Sequence, residues 1–293
     1  MGTRLLFRLV LYPLSLLPLT LLYGISYVFY LIINYLIKYR KDVIEKNLRL
    51  SFPEKSEEEL LEIKRKNYHH IAQLAAEMIK MLTMSPKSLK KRYYCTNPEL
   101  VNKFYDEGKS VILASSHYNN WEWMVLSLNS QFKHHGVGVG APNSNKVFEK
   151  MINYARTRYG TEVIFADTVR SEFAKRDLNH ITTSYMMLID QSPAHSDKCY
   201  VTSFLNQPSG IIYGAEYFAK KFNLPVFYYQ VIKDKMGYYH IDLELITDNP
   251  KETEYGEITE KYIKLLEKTI RQQPEYWLWS HRRWKYHYEL PQK

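Results

Sequence analysis

The feature that most constrains the fold is a run of 29 residues without a charged side chain, residues 9–37. Pro13 and Pro18 are expected to break a helix in the first third of this run. The remaining stretch, residues 19–37, would be about 28 Å long as a continuous helix. This length is close to the roughly 30 Å hydrocarbon core of a bilayer. The run therefore predicts a membrane-anchoring helix near the amino terminus.

The charges on either side of the run predict its orientation. Two arginines precede it, whereas six lysines and arginines follow within residues 38–55. Because basic residues stay on the cytoplasmic side of a membrane, the rest of the chain is expected in the cytoplasm. A cleaved signal peptide is disfavoured, since the run is long and no small-residue cleavage site follows it. A buried core helix, or a segment lying in the membrane interface, remains an alternative.

Composition narrows the class of protein. The 293-residue chain is 45% hydrophobic and 24% charged, which excludes a disordered or collagen-like chain. Its two cysteines, Cys95 and Cys199, exclude a disulfide-rich scaffold. The formal net charge of +9 favours a polyanionic partner, either nucleic acid, anionic lipid or an acidic protein. The apolar leader argues for lipid and against nucleic acid.

Strand-like and helical patterns alternate after residue 50. The strand-like segments are residues 110–115, 136–140, 162–165, 185–190, 200–204, 226–232 and 238–246. The helical patterns are residues 56–84, 121–132, 146–159, 209–222 and 257–272, the first opened by a capping box of Ser56 and Glu59. This alternation predicts an α/β fold with a mixed, mainly parallel central sheet flanked by helices.

The loop after the first strong strand carries the chemistry that the sequence suggests. It runs Ser-Ser-His-Tyr-Asn-Asn-Trp-Glu from residue 115, and includes His117 and Glu122. On one regular helix these two side chains would point about 140° apart. We therefore expect His117 in the loop and Glu122 in the first helical turn. Glu122 would then hold one ring nitrogen of His117, leaving the other free as a general base. Asn119 and Asn120 tolerate the left-handed backbone of a sharp turn.

Several motifs together resemble one known family. They are the stretch Tyr-Arg-Lys-Asp-Val-Ile-Glu-Lys-Asn-Leu from Tyr39, the block from His117 to Glu122, Arg-Thr-Arg-Tyr-Gly from Arg156, Asp-Gln-Ser-Pro from Asp190, and Pro-Glu-Tyr-Trp-Leu-Trp-Ser-His-Arg-Arg-Trp-Lys from Pro274. The chain resembles the late acyltransferases of lipid A biosynthesis, the lauroyl and myristoyl transferases, within the lysophospholipid and glycerolipid acyltransferase superfamily. Asn119 stands where this family has glycine, and the segment before Tyr185 lacks a helix-ending glycine.

The resemblance implies a membrane-bound O-acyltransferase, which transfers a group other than an aminoacyl group. The donor would be an acyl-acyl carrier protein thioester, or acyl-CoA, and the acceptor a hydroxyl of a lipid A precursor. His117 and Glu122 would be catalytic, whereas Asn120, Arg156, Arg158 and Asp190 would bind substrate. No cofactor, metal or nucleic acid is implied. Residues 1–38 would form the membrane anchor and residues 39–293 the catalytic domain, on the cytoplasmic face of the bacterial inner membrane.

Three alternatives remain open at this point. The same chemistry would serve a lysophospholipid or an amino-acid-linked lipid as acceptor. A non-catalytic membrane-associated binding protein would share the anchor but would not need His117.

The carboxyl-terminal aromatic and basic residues, Trp277 to His287, are expected to form an interfacial patch facing anionic lipid. A nucleic-acid strip or a structural tail are the other interpretations of these residues.

Overall fold

A seven-stranded sheet forms the centre of the protein in this computed structural model, which describes residues 2–290. The strands are β1 Tyr93–Cys95, β2 Val111–Ser115, β3 His135–Gly140, β4 Glu162–Phe165, β5 Thr183–Leu188, β6 Tyr200–Phe204, β7 Gln207–Ile211, β8 Val226–Lys235 and β9 Tyr238–Thr247. The main sheet has the order β1-β9-β8-β2-β5-β3-β4, whereas β6 and β7 form a separate antiparallel pair. The β8–β9 hairpin is antiparallel and every other pairing in the main sheet is parallel.

Twelve α-helices surround the sheet within residues 2–290. They are α1 Gly2–Leu6, α2 Tyr12–Leu16, α3 Leu19–Leu31, α4 Lys41–Ser51, α5 Glu57–Met81, α6 Pro86–Arg92, α7 Glu99–Asp106, α8 Trp121–Gln131, α9 Lys146–Arg156, α10 Val169–Leu178, α11 Gly214–Phe222 and α12 Glu257–Gln272. Wider π-helical turns occupy Phe7–Leu11 and Ile32–Leu36, and 3-10 turns occupy Pro250–Glu252 and Pro274–Tyr276.

Side chains of the central strands alternate between two hydrophobic layers. On β2, Ile112 and Ala114 face one core with residues of α4, α11 and α12. Val111 and Leu113 face a second core with residues of α7 and α8. Because successive strand side chains point to opposite faces, a fully buried strand requires such a layer on each side. The predicted mixed, mainly parallel sheet flanked by helices is therefore confirmed.

The apolar amino-terminal segment packs along α5 by one face of α3. Leu22, Ser26, Tyr30 and Ile33 are buried in this contact at helical spacing. The opposite face remains exposed. Its exposed apolar side chains include Leu21, Ile25, Val28, Phe29, Ile32 and Leu36, and Tyr27 and Tyr35 are exposed as well. Residues Leu19–Leu36 form the single helix, within the described residues, that is long and apolar enough to cross a membrane. The outermost residues of the predicted anchor and catalytic domain, Met1 and 291–293, lie outside the described part.

The prediction that Pro13 breaks the first helix is wrong. Pro13 lies within α2, and the wider π turn over Phe7–Leu11 runs into this helix without interruption, so the proline ring is accommodated where a regular α-helical turn would clash with it. Pro18 does interrupt the helix as predicted, because the residue before a proline avoids helical geometry. Leu17 has a ψ of 150°, so the chain is extended there before α3 begins.

The other predicted elements differ from the structure mainly at their ends. The Ser56–Glu59 capping box opens α5, and α12 has the predicted bounds. The predicted helix over residues 209–222 is wrong in its first part, since residues 209–211 pair with β6 and the helix begins only at Gly214. Short elements such as β1, α6 and β7 carry too few residues for a periodic pattern.

Candidate active site

His117 and Asp190 meet because two neighbouring parallel strands end in register. Ser115, the last residue of β2, pairs with Leu188, the last residue of β5. His117 and Asp190 each follow two residues later. Polar residues just beyond the carboxyl ends of parallel strands line the crevice where such sheets bind ligands.

The imidazole of His117 donates to Asp190 through the nitrogen that faces it. Nδ1 of His117 lies 2.8 Å from Oδ1 of Asp190, and the backbone N–H of His117 donates to Oδ2 at 3.0 Å. The indole N–H of Trp277 also donates to Oδ2, at 2.8 Å. Burial alone would raise the pKa of Asp190, but the charge of His117 and these hydrogen bonds hold it below its ordinary value.

The two members of this pair differ in their access to solvent. The Asp190 side chain is 1% exposed, whereas that of His117 is 18% exposed. A carboxylate that accepts from Nδ1 fixes the tautomer with a free lone pair on Nε2. The pair therefore presents a basic nitrogen at the edge of the sheet. Asp190, which the sequence predicted to bind substrate, is hydrogen-bonded to His117, and its contact with substrate stays a prediction.

Glu122 pairs with an arginine and not with the histidine. Nε and Nη2 of Arg156 donate to the two oxygens of Glu122 at 2.8 and 2.7 Å. Among residues 2–290, the structure has no hydrogen bond between Glu122 and His117, so the prediction that Glu122 orients the ring is wrong. The physical reason is the fork of the guanidinium, which matches both carboxylate oxygens at once. Burial would lower the pKa of Arg156, but Glu122 raises it above its ordinary value.

The turn between His117 and Glu122 depends on two asparagines. Asn119 has a left-handed backbone with φ of 53°, as its residue type predicted, and its Nδ2 donates to the carbonyl of Val231 at 2.8 Å. Asn120 caps α8, since its Oδ1 accepts from the backbone N–H of Trp123 at 2.9 Å. Its Nδ2 donates to Glu77 at 2.6 Å, and the residue is 1% exposed. Asn120 therefore caps α8 and binds Glu77, and its predicted contact with substrate stays a prediction.

Glu77 joins this turn to the amino-terminal helix. Its fully buried carboxylate accepts from Asn120, from the hydroxyl of Tyr23 on α3 at 2.6 Å, and from the hydroxyl of Tyr239 on β9 at 2.9 Å. Burial raises the pKa of Glu77, and the three hydrogen bonds oppose this effect. Three elements that are distant in sequence thus share one buried acceptor.

Arg158, the other arginine of the predicted substrate site, has different partners from Arg156. Its Nη1 donates to the carbonyl of Met81 at 2.8 Å, and its guanidinium lies 5.2 Å from the centre of the Tyr159 ring. These contacts tie the end of α9 to the end of α5. The side chain is half-buried.

The carboxyl-terminal segment packs over the loop that contains His117. Leu278 donates its N–H to the carbonyl of His117, and Asn119 donates its N–H to the carbonyl of Tyr276. Trp277, Trp279 and Arg283 are 3%, 0% and 2% exposed. The predicted lipid-facing patch is therefore wrong for these three residues, because their side chains are part of the core beside the site.

Sequence reasoning missed three residues that shape this site. Trp277 bonds Asp190, Glu77 holds the turn, and Nε2 of His281 accepts from the N–H of Ser192 at 3.3 Å. Burial lowers the pKa of His281 to about 4. The one available signal was that His117 and Asp190 each follow a buried strand. It was insufficient because strand order cannot be read from one sequence.

The comparison with family models agrees with this architecture. The model described as bacterial lipid A biosynthesis acyltransferase matches residues 2–286, which is nearly the whole chain and includes both the His117 loop and the carboxyl-terminal segment. A comparison with curated proteins gave no significant match. A match of this extent covers the sheet, the His117 loop and the apolar leader together, and the chain therefore belongs to the bacterial lipid A biosynthesis acyltransferase family.

Proposed function

We propose that this acyltransferase moves a fatty acyl chain from acyl-acyl carrier protein to a hydroxyl group of a lipid A precursor. The single observation that carries the proposed mechanism is the 2.8 Å bond between Nδ1 of His117 and Asp190. It supports a general base at a partly exposed position beside the sheet edge. The family gives acyl transfer as the reaction class and lipid A as the pathway.

The proposed reaction is a direct transfer without an acyl-enzyme. Nε2 of His117 takes the proton of the acceptor hydroxyl, while Asp190 stabilises the imidazolium that forms. The alkoxide attacks the thioester carbonyl, and the tetrahedral intermediate expels the carrier thiolate. The imidazolium returns its proton to that sulfur, so an ester and a free thiol leave the site and His117 is neutral again.

Glu122 acts in this proposal by positioning Arg156. Both carboxylate oxygens of Glu122 are held by Nε and Nη2, so the guanidinium has a fixed plane. Nη1 of Arg156 lies 3.5 Å from Asn153, and the side chain keeps 25% of its surface exposed. A fixed and partly exposed guanidinium suits a phosphate group, either of the acceptor or of the carrier's phosphopantetheine. Arg158 would act nearby as a second cation.

Membrane attachment is proposed through the amino-terminal helices. The exposed face of α3 is apolar along its length, and Lys38, Arg40 and Lys41 follow it. This arrangement supports a position on the cytoplasmic face of the bacterial inner membrane, with the basic residues at the headgroup level. The formal net charge of +9 supports an acidic carrier protein as the donor, drawn by electrostatic steering.

A substrate survey tests the donor and the acceptor. The purified full-length protein is offered acyl carrier protein thioesters and CoA thioesters, each with a lipid A precursor, a lysophospholipid or an amino-acid-linked lipid. We expect turnover with the carrier thioester and the lipid A precursor. Mass spectrometry of lipid A from cells with and without the protein should show one acyl chain fewer in its absence. Turnover with lysophospholipid alone would contradict the proposed acceptor, and unchanged lipid A would contradict the proposed pathway step.

A further inference from the structure

A cavity lies between the apolar helix and the body of the protein. Its volume is about 480 Å³, and Tyr27, Tyr30 and Tyr35 of the amino-terminal helix form one wall. The other walls come from α5, from β8 and from the turn at Tyr276. None of the lining residues belongs to the His117–Asp190 pair or to the Glu122–Arg156 pair.

Positive charge dominates the lining of this cavity. Arg65, Lys66 and Lys233 line it, against a single lining carboxylate, Glu275. Arg65 and Lys66 share one partner on their own helix, the carboxylate of Glu62, at 2.8 and 3.6 Å. A concave surface with excess cations attracts an anion, and arginine and lysine together suit phosphate oxygens.

Lys233 is the cation set deepest in this wall. Its Nζ donates to Oε1 of Gln73 at 2.7 Å and lies 5.0 Å from the centre of the Tyr276 ring. Within residues 2–290 it has no carboxylate oxygen within 4 Å. Burial lowers the pKa of Lys233, although Glu77 and Glu275 oppose the effect from a distance. A half-buried ammonium without an ion-pair partner is one that a bound anion would stabilise.

His70 supplies an independent observation that points to a ligand at this wall. Its ring lines the cavity, is 2% exposed, and packs 4.8 Å from the ring of Tyr276. Neither ring nitrogen has a hydrogen-bond partner in the described part of the chain. An orphaned buried polar group costs about 1–3 kcal/mol, so buried imidazoles ordinarily have a partner. A ligand oxygen in the cavity would accept from the N–H of this ring.

The position of the cavity indicates the source of the anion. Its tyrosines belong to the half of the apolar helix that leads into Lys38, Arg40 and Lys41. Tyrosine and basic side chains are enriched at the level of lipid headgroups, where phosphate groups lie. A cationic cavity that opens beside an exposed apolar helix face therefore suits a phosphate attached to a lipid.

We propose that this cavity binds the anionic phosphate of a membrane lipid headgroup, held by Lys233, Arg65 and His70. The inference rests on the membrane attachment of the proposed function but not on its acyl-transfer chemistry. Two lipids offer the same chemical group, an acidic glycerophospholipid and the phosphorylated acceptor itself. A bound headgroup at this point would seat the apolar helix against α5 at the membrane surface.

Vesicle binding by the full-length protein tests the proposal. The vesicles contain phosphatidylcholine alone, phosphatidylcholine with phosphatidylglycerol, or phosphatidylcholine with a phosphorylated lipid A precursor. We expect either anionic lipid to strengthen binding, and the stronger of the two identifies the source. Each variant, Arg65→Gln or Lys233→Gln, should reduce that gain about fivefold, the usual effect of one cation at an anionic surface. Arg65 is largely exposed, so Arg65→Gln tests the site even if Lys233→Gln does not fold.

Controls separate a site from general charge attraction. Lys264→Gln and Lys268→Gln remove the same charge from exposed positions on α12, outside the cavity lining. Titration with glycerol phosphate, followed by the ring nitrogen resonances of His70, gives a local readout. An equal loss of binding in the cavity and control variants, or unchanged His70 resonances, would overturn the proposal. Equal binding to all vesicles would overturn it while leaving membrane attachment intact, and binding to none would contradict both.

Discussion

Two carboxylates flank the catalytic turn, and they have different partners. Asp190 is 1% exposed and bonds His117 and Trp277, whereas Glu122 forms a two-bond pair with Arg156. The five-residue separation of His117 and Glu122 suggests that these two residues form a pair. The register of β2 and β5 instead pairs His117 with Asp190. The difference teaches that the partner of the base is set by which strands are neighbours. Separation along the chain sets only which residues share the turn.

The largest effect on kcat is expected from breaking the His117–Asp190 pair. His117→Ala should lower kcat by about 10²- to 10⁴-fold, since it removes the base. Asp190→Asn should have an effect of similar size, because an amide no longer selects the basic tautomer. The double variant should be little slower than either single one, because the two residues act as a unit. Steady-state kinetics with a carrier thioester measures all three.

A matched control for this pair lies on the β8–β9 hairpin. Nδ1 of His240 is 2.6 Å from Oδ1 of Asp234, the same kind of bond at a more exposed place. Asp234→Asn should leave kcat unchanged. Turnover of His117→Ala at the rate of the unaltered protein would refute the role of this histidine.

Breaking the Glu122–Arg156 pair should have a smaller effect on activity and should change different kinetic constants. Glu122→Gln frees Arg156, so KM should rise and kcat/KM should fall about 10- to 100-fold, the usual cost of a charged hydrogen bond. Each single variant should also lose about 3 kcal/mol of unfolding free energy, because it leaves a largely buried partner uncompensated. A double-mutant cycle with Arg156→Gln measures the coupling between them.

The control for the second pair is Arg176, which binds Glu162 and Glu172 and is 7% exposed. Arg176→Gln should lower stability without changing KM. If Glu122→Gln instead lowers kcat as much as His117→Ala at constant KM, then Glu122 takes part in the chemistry and the contrast drawn above is wrong.

The unfolding free energy is expected to depend on pH through His281, which lies on the Asp190 side of the turn. Burial lowers the pKa of His281 to about 4 in the folded protein, whereas in the unfolded chain it is about 6.5. Between these values the unfolded chain binds a proton that the native one does not. The unfolding free energy therefore falls as pH drops from about 6.5 to about 4. His281→Gln should reduce proton uptake on unfolding by about one proton in this window.

Denaturant titrations at several pH values in one detergent measure this dependence. The exposed His195 offers a comparison, and His195→Gln should leave the slope against pH unchanged. An unaltered slope in His281→Gln would show that this imidazole does not titrate as its burial requires.

The smallest effect is expected at the turn itself. Asn119→Gly keeps the left-handed backbone but loses the bond to Val231, which should lower the unfolding free energy by about 1 kcal/mol. Asn119→Ala loses the same bond and keeps a Cβ in that conformation, so it should be about 1–2 kcal/mol less stable than Asn119→Gly. Urea unfolding should therefore rank alanine below glycine. The reverse order would mean that the backbone of the turn relaxes at no cost.

Local patterns predicted most of the fold but only part of the site. The capping box of Ser56, the buried strand over residues 110–115 and the helix over residues 257–272 depend on neighbours in sequence, and all three occur. Asn119 likewise adopts the backbone that its residue type allows. Each of these features is fixed within a few residues of chain, so a single sequence contains the information.

The remaining features depend on contacts between distant segments. Asp190 meets His117 because β5 inserts beside β2, although β3 and β4 come between them in sequence. Trp277 and Arg283 have amphipathic side chains that suit either a membrane surface or a core, and only packing decides between these. The bond from Trp277 to Asp190 spans 87 residues of chain. No spacing rule predicts such a pair.

The buried carboxylate of Glu77 has a consequence for handling this enzyme. One of its three donors, Tyr23, belongs to the apolar leader, and another, Asn120, caps the helix that follows the His117 loop. Trimming the leader to gain solubility would let water reach that carboxylate and loosen the cap. A truncation that removes Tyr23 is therefore expected to lose activity.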